Sequence, residues 1–519
     1  MIRAGTETRK WWALGGITLA VLAVTLDATI LSVALPTLAG VFHASETDLQ
    51  WFSSGYLLVL AAAMLPAGLL GDRYGRKKVL LASLLLFGAG SAACAYAPSA
   101  GAFIAARVLL GVAGAGTVVM AISAVTVLFT EEERPRAVGI WGAANFLAFP
   151  IGPILGGWLL SHYWWGWVFL INVPVALVGL LAALALVPES RAAQRPALDP
   201  VGTVASIAGL VALTYGLIEA GQHGWTDSGA LGAMLAGLAV LLGFFLWEHR
   251  LLRQPGGQPL VDLALFRSRS FTWGLVLTAT AMMAMIGVLF TLPQYSQAVL
   301  GSDAMGSGLR LLPLVGGLLI GIVPAVALLR LVGAKLTAAC GFAVMAAGLL
   351  LGATTALNSG QEFILEWSAV VGFGLGLAFA TTASAAIAKL PQERSGVGAA
   401  VFQALQKVGG PFGAAVLGSV LASAYQAELH LGGLPPAVAK VVQDSVFGGL
   451  AVAGQVRSAA LAESVRAAFV HGMDAALLAS AGITLVGVVL ALAFLPGGSS
   501  AIDAGRERGR KGGPSAVAG

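Results

Sequence analysis

Gly68-Leu69-Leu70-Gly71-Asp72-Arg73-Tyr74-Gly75-Arg76-Lys77-Lys78-Val79-Leu80 is a short basic turn set between two long apolar runs, 50–70 and 79–97. Gly71 and Gly75 permit close backbone approach, and Asp72 is placed to accept hydrogen bonds where the next helix starts. Arg73, Arg76, Lys77 and Lys78 suit the anionic inner leaflet of a membrane. Two apolar segments of about 20 residues joined by so brief a turn make a membrane hairpin, and the rest of the chain repeats the pattern. Of its 519 residues 58% are hydrophobic and 10% are charged, against roughly 25% charged in soluble domains, so the chain cannot cover its surface against water. The alternation with period two that marks a membrane β-barrel is absent. The sequence specifies an all-α polytopic membrane protein.

Fourteen spans are read: 12–35, 50–70, 79–97, 101–128, 137–160, 165–187, 201–221, 229–249, 271–293, 305–329, 336–357, 363–388, 396–424 and 471–495. All but six of the 29 Lys+Arg then fall on one side. Lys440, Arg457 and Arg466 lie in one long outer loop, while Arg107, Arg310 and Lys407 fall inside spans. Positive residues stay inside, so both termini are cytoplasmic and the protein belongs in the cell membrane. The same scatter of cations over short loops excludes a nucleic-acid face, although the net charge is +5. Cys94 and Cys340 lie toward opposite membrane faces and predict no disulfide. Trp12 to Leu35 is too long for a signal-peptide core and reads as a retained helix.

A weak internal repeat organises these spans. Leu329-Arg330-Leu331-Val332-Gly333-Ala334-Lys335, after span ten, is a degenerate counterpart of the turn after span two. The expected organisation is a cytoplasmic N-terminus (1–11), a six-helix bundle (12–187), and an inserted helix pair with flanking loops (188–270). A second six-helix bundle (271–495) carries an outer loop at 425–470, and a disordered cytoplasmic tail follows at 496–519. The inner loop 250–270 is expected to hold a short interfacial helix over 260–266, and the outer loop an amphipathic hairpin. Repeat-built transporters place the substrate between their halves near the midplane.

Leu26-Asp27-Ala28-Thr29-Ile30 puts a carboxylate deep in span one. An acid at that depth costs roughly 2.5–3.5 kcal/mol on insertion scales and marks function. Arg107, in Arg107-Val108-Leu109-Leu110-Gly111-Val112-Ala113-Gly114-Ala115 of span four, lies at a similar depth. A nearby cation lowers a carboxyl pKa while burial raises it, so Asp27 and Arg107 read either as a proton-coupling site or as a permanent structural ion pair. In span five, Gly152-Pro153-Ile154-Leu155-Gly156-Gly157 removes a helix hydrogen bond and thins one face for close approach by another helix. Pro150 adds a second break.

These strings together resemble the major facilitator superfamily. The turn at Gly68, Asp72, Arg73, Gly75 and Arg76 resembles its loop-2/3 signature, and Arg107 to Ala115 its span-four motif. Gly152, Pro153, Gly156 and Gly157 resemble the antiporter motif of its drug exporters, with Ala148 where a further glycine is often found. The fourteen spans, over roughly residues 12 to 495, point to the drug:proton antiporter branch. The resemblance implies two six-helix repeats plus two inserted central helices, export rather than uptake, and a loop-2/3 latch. It also implies drive by the proton-motive force with no cofactor, metal or ATP. Better-known cation exporters of this branch carry further acids in spans two, ten and thirteen. Ser54, Gly317 and Gln403 stand in those neighbourhoods here, and Lys407 adds a positive charge. Asp27 is therefore expected to do the acidic work alone, and monovalent, neutral or anionic amphiphiles become fitting substrates.

Tyr56, Trp141, Asn145, Phe149, Phe290, Gln294 and Gln403 are the candidates for lining the cavity, since adaptable apolar and uncharged polar walls suit a promiscuous pocket. Glu219, Glu362 and Glu366 are expected to be solvated at outer ends. The expected partners are an amphiphilic small molecule, protons and the bilayer, with the protein acting as a monomer. A proton-coupled nutrient importer shares this fold, but the span-five motif and the lone Asp27 oppose it. A membrane enzyme is the other competitor. No nucleophile–base pair, metal-ligand cluster or ATP-binding loop occurs to support it.

Overall fold

The computed structural model describes residues 2–130, 133–191, 199–254, 259–261, 263–388, 395–431 and 434–496. The tail expected to be disordered (497–519) and the Pro255-Gly256-Gly257 segment lie outside them. Among the described residues all regular structure is helical. The helices are α1 (Ile2–Phe42), α2 (Glu46–Tyr74), α3 (Arg76–Ala95), α4 (Ala100–Leu128), α5 (Arg134–Phe146), α6 (Ala148–His162), α7 (Trp167–Leu170) and α8 (Asn172–Leu186). Then come α9 (Pro200–His223), α10 (Ser228–Arg253), α11 (Arg269–Ala298), α12 (Ala304–Leu309), α13 (Leu312–Leu331) and α14 (Gly333–Gly352). The last are α15 (Gln361–Ala388), α16 (Ser395–Gln406), α17 (Gly409–Glu428), α18 (Pro436–Asp444), α19 (Val446–Gln455) and α20 (Ala459–Phe494). A 3₁₀ turn at Leu263–Arg267 stands where an interfacial helix was expected over 260–266.

Thirteen segments are long and apolar enough to cross a membrane. The remaining expected span, 137–160, is present as α5 and α6, broken at Leu147 into pieces of 13 and 15 residues. Spans six, ten and thirteen break too, at Ile171, at Arg310–Leu311 and at Lys407–Val408. Each break has one physical cause. A proline follows within four residues (Pro150, Pro174, Pro313 and Pro411), and a residue without an N–H fits best in the first turn of a helix, although Pro36, Pro66, Pro153, Pro293 and Pro324 are held inside theirs. The outer loop is shorter than expected, because α17 runs on to Glu428 and α20 begins at Ala459.

Two large apolar cores form, with two smaller clusters beside them. Ile17, Phe87, Phe103 and Phe169 belong to one, built from spans one to six, and Phe342, Trp367 and Phe469 to the other, built from spans nine to fourteen. The seam between them is crossed where Phe290 of α11 enters the first core and Val33 of α1 enters the second. Gln297 Nε2 donates to the Val33 carbonyl at 3.1 Å and Gln294 Nε2 to Glu46 Oε1 at 3.3 Å, which holds the outer ends of the halves together. Phe447 of the α18–α19 hairpin packs on both cores above them. Spans seven and eight are peripheral, with only 28% and 17% of their apolar windows buried. Span seven leans on the seam through Ser419, whose hydroxyl donates to the Leu217 carbonyl at 2.7 Å. The two related inner turns share a backbone feature, since Gly75 (φ 116°) and Gly333 (φ 82°) both adopt a left-handed conformation that favours glycine.

Candidate functional site: a buried ion pair wired to the seam

Asp27 of α1 is 2% exposed and Arg107 of α4 is 0% exposed. Arg107 Nη1 donates to Asp27 Oδ2, and Arg107 Nε donates to the Phe52 carbonyl at 3.1 Å. The guanidinium carbon lies 4.2 Å from the centre of the Tyr56 ring, and the Tyr56 hydroxyl donates to the Val24 carbonyl at 2.8 Å. The second carboxylate oxygen, Asp27 Oδ1, accepts from Asn172 Nδ2 at 3.1 Å. Arg107 Nη2 is buried with no hydrogen-bond partner. The charges are thus compensated, but the guanidinium keeps one donor unmade, a costly state in a dry interior. Asn172 is the member that sequence reading missed. Its signal was a carboxamide in the opening turn of an otherwise apolar helix, two residues before Pro174.

The opposite face of α1 carries the second half of the arrangement. Residues 25 and 29 share a helix face that residue 27 does not. Thr25 Oγ1 donates to Asn145 Oδ1 at 3.2 Å, and Thr29 Oγ1 donates to the Ala148 carbonyl at 3.2 Å. Gly152 sits against Thr29, and a Cβ at Gly156 would lie 2.9 Å from Ile30 Cγ2. A Cβ at Gly157 would lie 2.7 Å from Met305 Cα in α12, and Gly308 packs on the Pro153 carbonyl. The Gly152/Pro153/Gly156/Gly157 face is therefore clamped between span one and span ten, one helix from each half. Asp27 is one helix diameter from that clamp.

Asp72, Gly75 and Arg76 make contacts with one another and with the loop that follows span six. Asp72 Oδ1 accepts from Arg76 Nε and Nη2, both at 2.9 Å. The Arg76 amide donates to the Ser190 carbonyl at 2.8 Å, and Gly75 lies so near Glu189 that a Cβ would sit 2.6 Å from its Oε1. Gly71 packs on Met120 and Gly68 faces Val119. The Arg73 guanidinium lies 5.8 Å from the Tyr74 ring centre. At the same inner end, the Lys10 ammonium bonded to Glu133 holds that carboxyl below its usual range.

The cavity candidates separate. Tyr56 is fully buried beneath Arg107 and belongs to the ion-pair shell. Phe290 and Gln294 are buried at the seam. Asn145 and Trp141 are half-buried on α5, joined by a bond from Asn145 Nδ2 to the Trp141 carbonyl at 2.8 Å. Gln403 is half-buried and accepts from Gln406. The side chain of Phe149 lies outside the described residues. Glu362 and Glu366 are exposed, as expected, and Glu219 pairs with His223 at 2.9 Å. Asp27 is joined by other buried acids nearer span ends, Glu46 at 5% and Glu248 at 0% exposure.

A family model, the Major Facilitator Superfamily, matches residues 17–414. The chain belongs to that superfamily. It is 33% identical over 501 residues to the tetracenomycin C resistance and export protein of Streptomyces glaucescens, covering 94% of this chain and 92% of that protein. It is 32% identical over 498 residues to the multidrug efflux pump LfrA of Mycolicibacterium smegmatis, covering 93% and 97%. The crystal structure of a bacterial homolog of the human lysosomal transporter Spinster, inward-facing and unoccupied, superposes with a TM-score of 0.66. It is 14% identical over 93% of this chain and 96% of that one. The helical architecture, the multi-pass membrane location and the transporter class follow from the family. The turn at Asp72, the ion pair at Arg107 and the clamp at Gly152–Gly157 all fall within the matched residues.

Proposed function

We propose that this protein exports amphiphilic drugs or antibiotics across the cell membrane in exchange for protons, by alternating access. The observation that carries the reading is the placement of Asp27. It is buried, paired and hydrogen-bonded on one face of α1, while the other face holds the span-five clamp that meets span ten. A proton at Asp27 weakens the bond to Arg107, and any shift of α1 is passed through Thr25, Thr29 and Ile30 to the seam. The closed outer ends, at Gln294–Glu46 and Gln297–Val33, accompany an ion pair in its charged form. Deprotonated Asp27 therefore belongs to the state that receives drug from the cytosol. Opening outward admits a proton from outside, Asp27 is neutralised, drug leaves, and the protonated form returns.

Each proton entering down 100 mV contributes about 2.3 kcal/mol, enough for roughly a fiftyfold gradient of a neutral drug. No ATP or bound cofactor is required, and one chain holds the complete path. The inner turn at Asp72, Arg73, Gly75 and Arg76 acts as a latch in one state, while Asn145, Trp141, Phe290, Gln294 and Gln403 border the path at the seam. Relatives named for tetracenomycin C export and multidrug efflux support the outward direction. The test is expression in an efflux-deficient host challenged with dyes, biocides and antibiotics, comparing wild type with Asp27→Asn. Resistance is expected from wild type and not from the variant. Full-strength resistance from Asp27→Asn, with proton coupling intact, would contradict the mechanism.

A further inference from the structure

Lys407 stands at the break between α16 and α17, twelve residues past Ser395. At about 1.5 Å per residue that is roughly 18 Å into the span, deeper than a lysine can escape by reaching for the interface. Its side chain makes no hydrogen bond or ion pair with any other described residue, and the residue as a whole is only partly buried. The residues one turn on give its direction. The Pro411 carbonyl accepts from Ser54 Oγ of α2 at 3.3 Å. A Cβ at Gly410 would lie 3.3 Å from Leu57 Cδ1 of α2 and 3.6 Å from Ile286 Cγ1 of α11. Lys407 precedes Gly410 by three residues, so it stands near the seam, between a helix of each half. Gln403, four residues earlier, gives its carbonyl oxygen to Gln406.

The charges at this depth do not cancel. Asp27 and Arg107 neutralise each other inside the first half, whereas the lysine has no counter-ion among the described residues. Unpaired ionisable groups in membrane spans mark substrate or ion pathways. The nearby start of α17 brings the positive end of a 20-residue helix to the same place.

We infer that Lys407 is the counter-ion for a negatively charged substrate group, and that the preferred cargo of this exporter is an amphiphilic monoanion, a carboxylate, sulfonate or ionised phenol. This deepens the export reading above and rests on it. It has a consequence for energetics. Moving an anion out while a proton moves in carries two elementary charges across the membrane, against one for a neutral cargo. Export of the anion is therefore more steeply driven by an inside-negative potential.

The experiment uses the full chain in proteoliposomes with an imposed pH gradient and a potential clamped by potassium and valinomycin. The probes are 8-anilino-1-naphthalenesulfonate, a monoanion, and ethidium, a monocation. Wild type is expected to transport the anion at least tenfold better than ethidium, with a rate that rises with inside-negative potential. Lys407→Gln should remove that preference, Lys407→Arg should retain it, and Lys407→Glu should reverse it toward ethidium. Thermal unfolding in detergent confirms that each variant is folded. Transport of ethidium in preference to the anion by wild type, or an unaltered anion preference in folded Lys407→Gln, overturns the inference and leaves export standing. Transport of neither probe, together with no resistance phenotype in cells, overturns the export reading and this inference with it.

Discussion

Two charged places in the membrane interior are built in opposite ways. In the first half, Asp27 and Arg107 satisfy each other in a sealed shell of Asn172, Tyr56 and the Phe52 carbonyl. In the second half, Lys407 sits at a helix break on the seam with no side-chain partner among the described residues. A compensated, buried pair is suited to a proton, which can enter where no larger ligand fits. An uncompensated charge between the halves is suited to a ligand that supplies the missing sign. The difference separates two tasks, proton coupling inside one half and cargo recognition between the halves.

The comparison breaks most visibly at Arg107. Arg107→Ala leaves Asp27 buried without compensation and should destabilise the protein by about 3–5 kcal/mol, seen as a collapse of thermal stability in detergent. Removing both charges with Asp27→Asn and Arg107→Gln should recover much of that stability while leaving coupling absent. Lys407→Gln should behave differently, with stability unchanged or raised, because an unpaired charge is removed. A large loss of stability there would mean the lysine has a structural partner. Next in size is the clamp. Gly157→Ala places a methyl against Met305 Cα, and overpacking of this kind costs about 1–3 kcal/mol. It should act against the state with closed outer ends, which labelling of a cysteine introduced at Val33 would report. The smallest effect on stability belongs to Asp72→Asn. A part-exposed pair bridging the turn between α2 and α3 contributes about 0–1 kcal/mol, so melting should shift little while transport falls sharply. Unchanged transport would remove the latch.

Much of this was legible in the chain. Span positions follow from runs of apolar residues, and the depth of Asp27 and Arg107 from counting along two helices, because 1.5 Å per residue is a reliable ruler. The four interrupted spans were harder to read. A proline in a membrane helix either kinks it or starts a new piece, and Pro153 stays inside α6 while Pro150 opens it. Asn172 escaped because a lone carboxamide carries no charge signal, and its partner lies 145 residues away in sequence. The burial of Glu46 escaped because it depends on Gln294 of the other half arriving at the same place. Contacts across the seam leave no periodic trace in either strand of sequence.

The central claim is that one carboxylate, Asp27, couples proton entry to drug exit. The most direct measurement is proton flux on addition of a transported drug to reconstituted protein, recorded with an entrapped pH dye for wild type and Asp27→Asn. Wild type should show drug-dependent proton movement, and the variant should show none while still binding drug. Drug-dependent proton flux of wild-type size from a folded Asp27→Asn protein would place the coupling elsewhere and contradict the account.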